Sequence, residues 1–313
     1  MSRDPSSRLI VTLPTGEQLL LAHGDQRAVV TEVGATLRDY VKGGVQVVEG
    51  FSADEMATGG RGQLCFPWPN RLGHGAWSYS GREAHAALNE PALGNAIHGL
   101  VRYRPFVIDS VAQNRCQLSL LVHPEPGYPF LALVEVAFHL GTLGLTVTTT
   151  VTNMDRVPVP FGLGFHPYLA APAHGIDRAI LSVPGHGIVD VDEHRRPTGL
   201  VRPVDGGPLD RRKPSVLGDS VLDVTYCELE RDESGWATAR LADEDLGTVE
   251  LSVDRTFPYL QVFTGDTLAL PRRRTGVAIE PMTCPPDALR SGKDIVVLEP
   301  GQHWAGSWRL HRR

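Results

Sequence analysis

Apolar and polar side chains alternate most regularly in the middle of the chain. From Val134 to Leu140 every second residue is apolar, and the alternation recurs from Leu145 to Val151 among threonines. A period of two residues is that of a strand with one buried face, and β-branched residues favour strands. The Gly-Thr-Leu-Gly segment at 141–144 supplies a turn between them. This region therefore predicts a long antiparallel hairpin with one face in the core.

Shorter apolar runs, separated by glycine- and proline-rich turns, predict further strands, and helical periodicity is weak throughout. The predicted strands lie at Arg8–Leu13, Gln18–Ala22, Ala28–Val33, Val45–Val48, Ala237–Leu241, Gly247–Val253, Tyr259–Thr264, Gly276–Ile279 and Ser307–Leu310. Two short helical turns are expected, near Ala53–Ala57 and near Pro286–Arg290. The chain has no repeating strand–helix unit, which disfavours a TIM barrel and a Rossmann fold. The pattern favours an all-β fold: one large antiparallel β-sandwich with few short helices, in a single domain over residues 1–313.

Two long segments show no clear periodicity. The first, Thr58 to Pro105, is rich in Gly, Pro, Asn and Arg, and the second, Pro184 to Ser220, is rich in Gly, Pro and charge. Long irregular loops inside a compact domain are usually functional or mobile. We predict candidate chemistry in the first segment and mainly a surface excursion in the second.

Composition narrows the function classes. A formal net charge of −6 disfavours binding to nucleic acid. No stretch approaches the ~20 apolar residues that span a bilayer, so no membrane partner is expected. The N-terminus lacks an apolar signal core, and the cysteines (Cys65, Cys116, Cys227 and Cys284) form no CxxC pair. These features predict a cytoplasmic protein with free thiols and without a zinc knuckle.

Strong polar groups stand among apolar, Gly and Pro residues in four segments. These segments are 65–72 with Asn70 and Arg71, 95–100 with His98, 161–168 with His166, and 278–286 with Glu280. A carboxylate at the end of an apolar run, like Glu280, is costly to bury unless it is paired or functional. Because Pro281 cannot continue a central ladder, we expect Glu280 to point from a strand end into a cleft.

Together these motifs resemble the aldose 1-epimerase, or galactose mutarotase, family. The matching stretches are Pro69-Asn70-Arg71, Ile97-His98-Gly99, Leu222-Asp223-Val224-Thr225-Tyr226, Phe165-His166-Pro167-Tyr168 and Ile279-Glu280-Pro281-Met282-Thr283. Residues 69–71 are similar to the family's Asn-Arg stretch, and residues 97–99 and 165–168 to its two histidine motifs. Residues 279–283 are similar to its glutamate motif, and residues 222–226 to the segment with its sugar-binding aspartate. All five fall in the family's order, which makes the match specific although each motif alone is weak.

The resemblance implies a mutarotase that interconverts the α and β anomers of a free hexose. Glu280 would be the base that takes the proton of the C1 hydroxyl, and His166 the acid that protonates the ring oxygen. The sugar would be bound by Arg71, His98 and Asp223, with Asn70 and Tyr168 beside them. The resemblance implies that no metal or organic cofactor is needed. It also implies a monosaccharide as the partner and a monomer or homodimer as the oligomeric state. The residue types suit this chemistry, since a carboxylate with a reference pKa near ~4.3 and an imidazole near ~6.5 supply a base and an acid at neutral pH.

Other functions remain open from the residues alone. His98, His166 and Glu280 are a two-histidine, one-carboxylate set that suits an iron enzyme. Glu280 and Asp223 are a carboxylate pair that suits a glycoside hydrolase. A non-catalytic sugar-binding module would keep the same cleft.

A hexose-6-phosphate epimerase is a further alternative. Such an enzyme would need basic groups for the phosphate at the mouth of its cleft. Arg102, Arg104 and the run Arg272–Arg274 are the candidates in this sequence. The residues leave open which sugar is the substrate.

Overall fold

Strands dominate the regular secondary structure of the computed structural model, which describes residues 12–172 and 174–313. The first strands are β1 (Gln18–His23), β2 (Gln26–Thr31), β3 (Thr36–Lys42), β4 (Val45–Gln46), β5 (Leu64–Cys65), β6 (Arg71–Gly73), β7 (Ala76–Tyr79), β8 (Arg82–His85), β9 (Asn95–Ile97), β10 (Val107–Ala112), β11 (Arg115–Val122), β12 (Ala132–Gly141), β13 (Gly144–Asn153) and β14 (Val159–Phe161). The later strands are β15 (Gly164–Phe165), β16 (Tyr168–Ala170), β17 (Ile180–Ser182), β18 (Gly185–Val191), β19 (Pro197–Pro203), β20 (Ser215–Val216), β21 (Asp223–Leu229), β22 (Ala237–Asp243), β23 (Gly247–Val253), β24 (Tyr259–Phe263), β25 (Gly276–Met282), β26 (Val296–Leu298) and β27 (His303–Arg312). The described part of the chain has one helix, α1 (Ala288–Ser291).

The larger of the two main sheets has nine strands in the order β10-β11-β12-β13-β27-β23-β22-β17-β20, and all its pairings are antiparallel. The hairpin of β12 and β13 lies inside it, with unbroken register from Ala132 opposite Asn153 to Gly141 opposite Gly144. Every second side chain of β12 is buried, as the alternation predicts. The predicted central hairpin is therefore confirmed.

The second main sheet has eight strands and carries most of the polar motifs. Its order is β19-β18-β21-β24-β25-β15-β5, and β16 also pairs with β25. Aromatic side chains join the two sheets: the rings of Phe165 on β15 and Trp308 on β27 are 5.1 Å apart. One cluster of buried hydrophobic side chains extends from Leu19 to Leu310. The predicted antiparallel β-sandwich is confirmed, and the single domain stays a prediction.

The two segments without periodicity contain more strands than the sequence indicated. Residues 58–105 hold β5 to β9, and residues 184–220 hold β18, β19 and β20. β19 is an edge strand of its sheet, and six of its seven residues are exposed. A strand exposed on both faces has no apolar alternation to reveal it. The expectation that residues 184–220 are irregular is therefore wrong, whereas their largely exposed position agrees with the predicted surface excursion.

The remaining local predictions have mixed outcomes. The helical turn predicted near Pro286–Arg290 is α1, whereas the segment at Ala53–Ala57 forms only a hydrogen-bonded turn. The strand predicted at Arg8–Leu13 lies almost wholly outside the described residues. The four cysteines are buried free thiols. Among the described residues, no helix combines the length and apolarity needed to cross a membrane.

The register of the central hairpin predicts how its two faces contribute to stability. Phe138 is 1% exposed and faces the core, whereas its neighbour His139 is exposed on the other face. Phe138→Ala should lower the free energy of unfolding by about 3–5 kcal/mol, because it removes a buried ring and leaves a cavity. His139→Ala, the matched control, should change it by less than about 0.5 kcal/mol. Urea denaturation measures both, and equal effects would contradict the assigned register.

Candidate active site

Three neighbouring strands of the eight-stranded sheet present polar side chains on one face. Thr225 on β21, Gln261 on β24 and Glu280 on β25 lie opposite one another in register. Asp223 is two residues before Thr225 and therefore faces the same side. β25 continues past Glu280 to Met282, so the sequence-based expectation that the strand ends at Glu280 is wrong by two residues. The register of these strands therefore places the Glu280 carboxyl group in one row with the side chains of Gln261 and Thr225.

Loops at the edge of this sheet bring the remaining motif residues to the same place. His166 follows β15, and His98 follows β9. β9 pairs with β6, which sets Arg71 opposite Ile97. Residues far apart in the chain therefore converge because two short strand pairings hold their loops together. These are the pairing of β6 with β9 and the pairing of β5 with β15.

The contact that unites the site is between His166 and Glu280. The Nε2 atom of His166 lies 3.2 Å from Oε1 of Glu280, and their side chains are 5% and 3% exposed. Burial raises the pKa of Glu280 well above its ordinary value; the negative charge of Asp223 raises it further, and Arg71 opposes this. Burial lowers the pKa of His166 to about 3, and the positive charges of Arg102 and Arg61 act in the same direction. Both shifts favour the uncharged forms of the two groups.

His98 is fixed in orientation and in protonation state. Its ring makes an edge contact with His166, with centroids 5.0 Å apart. The backbone N–H of Asn70 donates to Nδ1 of His98 over 3.2 Å. Burial lowers the pKa of His98 well below its ordinary value, and the neighbouring His166, Arg102 and Arg71 act in the same direction, so the ring is neutral. A neutral ring that accepts at Nδ1 carries its proton on Nε2. His98 therefore offers one N–H donor.

Arg71 lies at the centre of a charged network on the other side of the site. Its guanidinium donates two hydrogen bonds from Nε and Nη2 to Glu90 and reaches Oδ2 of Asp223 at 3.4 Å. Gln261 donates to the other oxygen of Asp223 and accepts from Thr225. Asp223 is thus held from two sides, through both of its carboxylate oxygens.

The set His98, His166 and Glu280 meets the distance condition for a metal site, since one ligand atom of each lies within 4.8 Å of the others. A metal-bound histidine normally donates from its other ring nitrogen to an acceptor. Here Nδ1 of His98 accepts a backbone N–H, so Nε2 is protonated and is a donor rather than a ligand. This arrangement does not fit a metal, and it suits hydrogen bonding to a hydroxyl group.

Tyr168, predicted to bind substrate, lies behind His166 and is 1% exposed. The two rings stack with centroids 5.0 Å apart and an angle of 16°. Its hydroxyl donates to the carbonyl oxygen of Gly59 over 2.9 Å. Tyr168 therefore supports the imidazole ring and stands apart from the other predicted binding residues.

The converging residues open into one cavity of about 810 Å³, within the range of small-molecule sites. Its lining contains the predicted residues Asn70, Arg71, His98, His166, Asp223 and Glu280. It also contains Glu90, Arg102, Tyr103, Glu193, Arg195, Phe263, Leu268 and the backbone of Gly59 and Gly60. Such a cavity accommodates a ligand of sugar size with polar groups on several sides.

Comparison with known proteins bears on this arrangement. The family model described as aldose 1-epimerase matches residues 17–311. The chain belongs to the aldose 1-epimerase family. Uncharacterized protein YihR of Escherichia coli is 32% identical over 289 residues, which cover 92% of this chain and 91% of that protein. Human galactose mutarotase is 29% identical over 257 residues, covering 75% of this chain and 73% of that protein.

Solved structures show that the fold is shared with aldose epimerase relatives. The GalM/aldose epimerase homologue from C. elegans superposes with a TM-score of 0.84 at 20% identity, over 95% of this chain and 99% of that one. A putative aldose 1-epimerase from Escherichia coli gives a TM-score of 0.80 at 20% identity, over 95% of this chain and 99% of that one. The β-sandwich described above is thus the fold of these relatives.

Several residues that line the cavity or hold its side chains were missed from the sequence of this aldose 1-epimerase family member. Gln261 had a signal, because it is the only amide in the apolar strand Tyr259–Phe263 and a buried amide needs partners. Glu90 lies in an irregular loop and had none. Glu193 and Arg195 lie between β18 and β19, in the segment predicted to be a surface excursion. The tip of that hairpin forms a wall of the cavity.

The charges around Glu280 predict how one substitution changes its pKa. Asp223→Asn removes the negative neighbour that helps raise this pKa, so the charged form becomes less unfavourable and the pKa falls. ¹³C NMR of the labelled carboxyl group across a pH titration measures the shift. Asp190→Asn, which removes a half-buried carboxylate of β18 that pairs with Arg202, is the control and should leave the Glu280 titration unchanged. An unchanged or raised pKa of Glu280 in Asp223→Asn would contradict the effect assigned to the Asp223 charge.

Proposed function

We propose that this protein is an aldose 1-epimerase that interconverts the anomers of a free hexose by opening and reclosing its ring. The observation that carries the proposal is the contact of 3.2 Å between His166 and Glu280 at the wall of a cavity of about 810 Å³. Membership of the aldose 1-epimerase family and the likeness to galactose mutarotases of human and pig support the same reaction class.

The proposed reaction moves two protons. Glu280 takes the proton of the C1 hydroxyl while His166 gives a proton to the ring oxygen, and the bond between C1 and that oxygen breaks. The free aldehyde rotates about C1–C2, and the ring closes on the other face of C1. On closure each group takes back the proton state it began with, so no external acid, base or redox partner is consumed.

Burial of the pair favours the ring-opened state. Before the step the reacting pair is a carboxylate and an imidazolium, and after it both are neutral. Desolvation disfavours the charged forms, which is why the pKa of Glu280 is raised and that of His166 is lowered. Because the same shifts favour the neutral pair before the reaction, the carboxylate–imidazolium form is reached by transfer of one proton from Glu280 to His166 across their contact of 3.2 Å, and ring opening returns both groups to their neutral forms.

The other cavity residues suit the binding of sugar hydroxyl groups. His98 presents an N–H donor, and Asp223 presents a carboxylate acceptor held by Arg71 and Gln261. Asn70 uses its side-chain oxygen to accept from the backbone N–H of Arg71, which holds the turn that bears both residues. We propose that these groups orient the ring so that C1 faces Glu280 and the ring oxygen faces His166.

The charge of the cavity favours an unphosphorylated sugar. Its lining contains three arginines and four carboxyl groups, so it offers a phosphate no excess of positive charge. Of the basic groups considered for phosphate binding, Arg102 lies at the cavity, whereas Arg104 pairs with Glu125 and Arg272 pairs with Glu49 and Glu55. A cytoplasmic location and a monomeric or homodimeric state stay predictions.

Substitution of either proton-transfer group tests the reaction. Glu280→Gln and His166→Asn should each slow anomerisation by about 10²–10⁴-fold, because each removes one general acid–base group, while sugar binding is retained. Polarimetry or NMR exchange on free hexoses measures the rate, and calorimetry measures binding. His139→Ala, on the exposed face of β12, is the control with unchanged rate. Anomerisation at the wild-type rate by either substituted protein would refute the assigned roles.

The pH dependence follows from the two pKa shifts. The pair is competent when it holds one transferable proton, so kcat/KM falls when pH drops through the lowered pKa of His166 or rises through the raised pKa of Glu280. We expect kcat/KM to stay level from about pH 7 to about pH 5, below the ordinary histidine pKa of ~6.5. A decline with a midpoint near that ordinary value would contradict the shifted pair.

A further inference from the structure

Resting on the proposed function, we propose that Arg61, held by Glu49, is a positioning residue for the acid of the reaction: with Tyr168 and the backbone of Gly60–Gln63 it fixes the ring of His166 and keeps a positive charge beside it. Arg61 is outside the cavity lining and was not among the residues predicted from the sequence. Its role would be to act through His166 rather than to touch the sugar.

The guanidinium of Arg61 is buried and held in one place. It is 2% exposed, and its Nε and Nη2 donate to Oε2 of Glu49 over 2.9 and 2.6 Å. Nη1 donates to the carbonyl oxygen of Thr58. Burying an arginine costs free energy that a surface position would avoid, even when it is paired. A buried pair this close to the proposed acid therefore calls for a role at the site.

Tyr168 connects this guanidinium to the imidazole. The Cζ atom of Arg61 lies 4.4 Å from the centroid of the Tyr168 ring, a cation–π contact. The Tyr168 ring in turn stacks on His166 at 5.0 Å. The hydroxyl of Tyr168 donates to the carbonyl oxygen of Gly59, so the ring is held by this hydrogen bond at one end and by the backbone at the other. The ring therefore keeps one orientation relative to His166.

The backbone on either side of Arg61 encloses His166 as well. The N–H of Gly62 donates to the carbonyl oxygen of His166, and the N–H of His166 donates to Gln63. A Cβ atom at Gly60 would lie 2.6 Å from Cδ2 of His166, so only glycine lets this backbone approach the ring. The segment that carries Arg61 is therefore the segment that confines the imidazole.

The charge of Arg61 also affects the acidity of His166. The titratable and charged groups around the ring are Glu280 on β25, His98 after β9, Arg102, Tyr168 on β16 and Arg61. Burial, Arg102 and Arg61 all lower the pKa of His166. An imidazolium beside a fixed positive charge gives up its proton more readily, which is what protonation of a ring oxygen requires.

Three variants separate charge from packing. Arg61→Met removes the charge and keeps an unbranched side chain, Arg61→Lys keeps the charge without the planar fork, and Arg104→Met removes an exposed arginine that pairs with Glu125. Glu49 keeps Arg272 and Thr275 as partners when Arg61 is replaced, so its carboxylate is not left unpaired. Thermal unfolding of each variant verifies that it is folded before it is assayed.

The first readout is the pKa of His166, followed by ¹⁵N NMR of its imidazole. Arg61→Met should raise this pKa by at least about 0.5 unit, whereas Arg61→Lys and Arg104→Met should shift it by less. This arm needs no activity, so it tests the inference even if the wild-type protein fails to anomerise hexoses and the proposed function is lost. An unshifted His166 titration in folded Arg61→Met would overturn the charge role.

The second readout is the kinetic split. Arg61→Met should lower kcat by about 10- to 100-fold with little change in KM, because a displaced acid impairs the chemical step rather than binding. Tyr168→Leu, which removes the ring between the two groups, should lower kcat more than Tyr168→Phe, which keeps the ring. If Arg61→Met folds poorly, the comparison of Tyr168→Leu with Tyr168→Phe still tests whether the stacked ring positions His166. Equal kcat in Tyr168→Leu and Tyr168→Phe, or a loss confined to KM, would refute positioning.

Discussion

The buried contact between Glu280 and His166 is the constraint on which the rest of the site depends. A carboxyl group and an imidazole that are 3% and 5% exposed have lost almost all their hydration, and water alone no longer decides which of them is charged. The protein supplies the environment instead, through the strand register that holds Glu280 and the backbone that closes around His166. The same desolvation that makes this pair costly to bury makes its proton exchange useful for opening a ring.

The charges around the pair are arranged in two opposed groups. Asp223 raises the pKa of Glu280, and Arg61 and Arg102 lower that of His166, so both sides disfavour the ion pair. Arg71 opposes this on the carboxyl side and is itself tied to Glu90 and Asp223. A site with nearly balanced charge can tune two protons without attracting an ionic ligand, which agrees with a neutral sugar as the proposed substrate.

Much of the fold was predictable because one face of each inner strand is buried. The alternation in β12 and β13 reflects a sheet face packed on the core, and the predicted hairpin has the observed register. β19 escaped prediction because an edge strand with both faces exposed needs no alternation. The same reason hid the wall that the tip between β18 and β19 contributes to the cavity, since Glu193 and Arg195 stand in a segment that reads only as polar loop.

By itself the sequence determined the family, through five motifs in the family's order, and it singled out Glu280, His166, His98, Arg71 and Asp223 as candidate site residues. Their roles came from the resemblance to the family, because the residue types alone also suit an iron enzyme or a glycoside hydrolase. Only the tertiary structure decided that Gln261 holds Asp223, that Nδ1 of His98 accepts a backbone N–H, and that Tyr168 stands behind His166. These are relations between side chains and backbone groups distant along the chain. They depend on strand register and on loop pairing, which no local pattern of residues records.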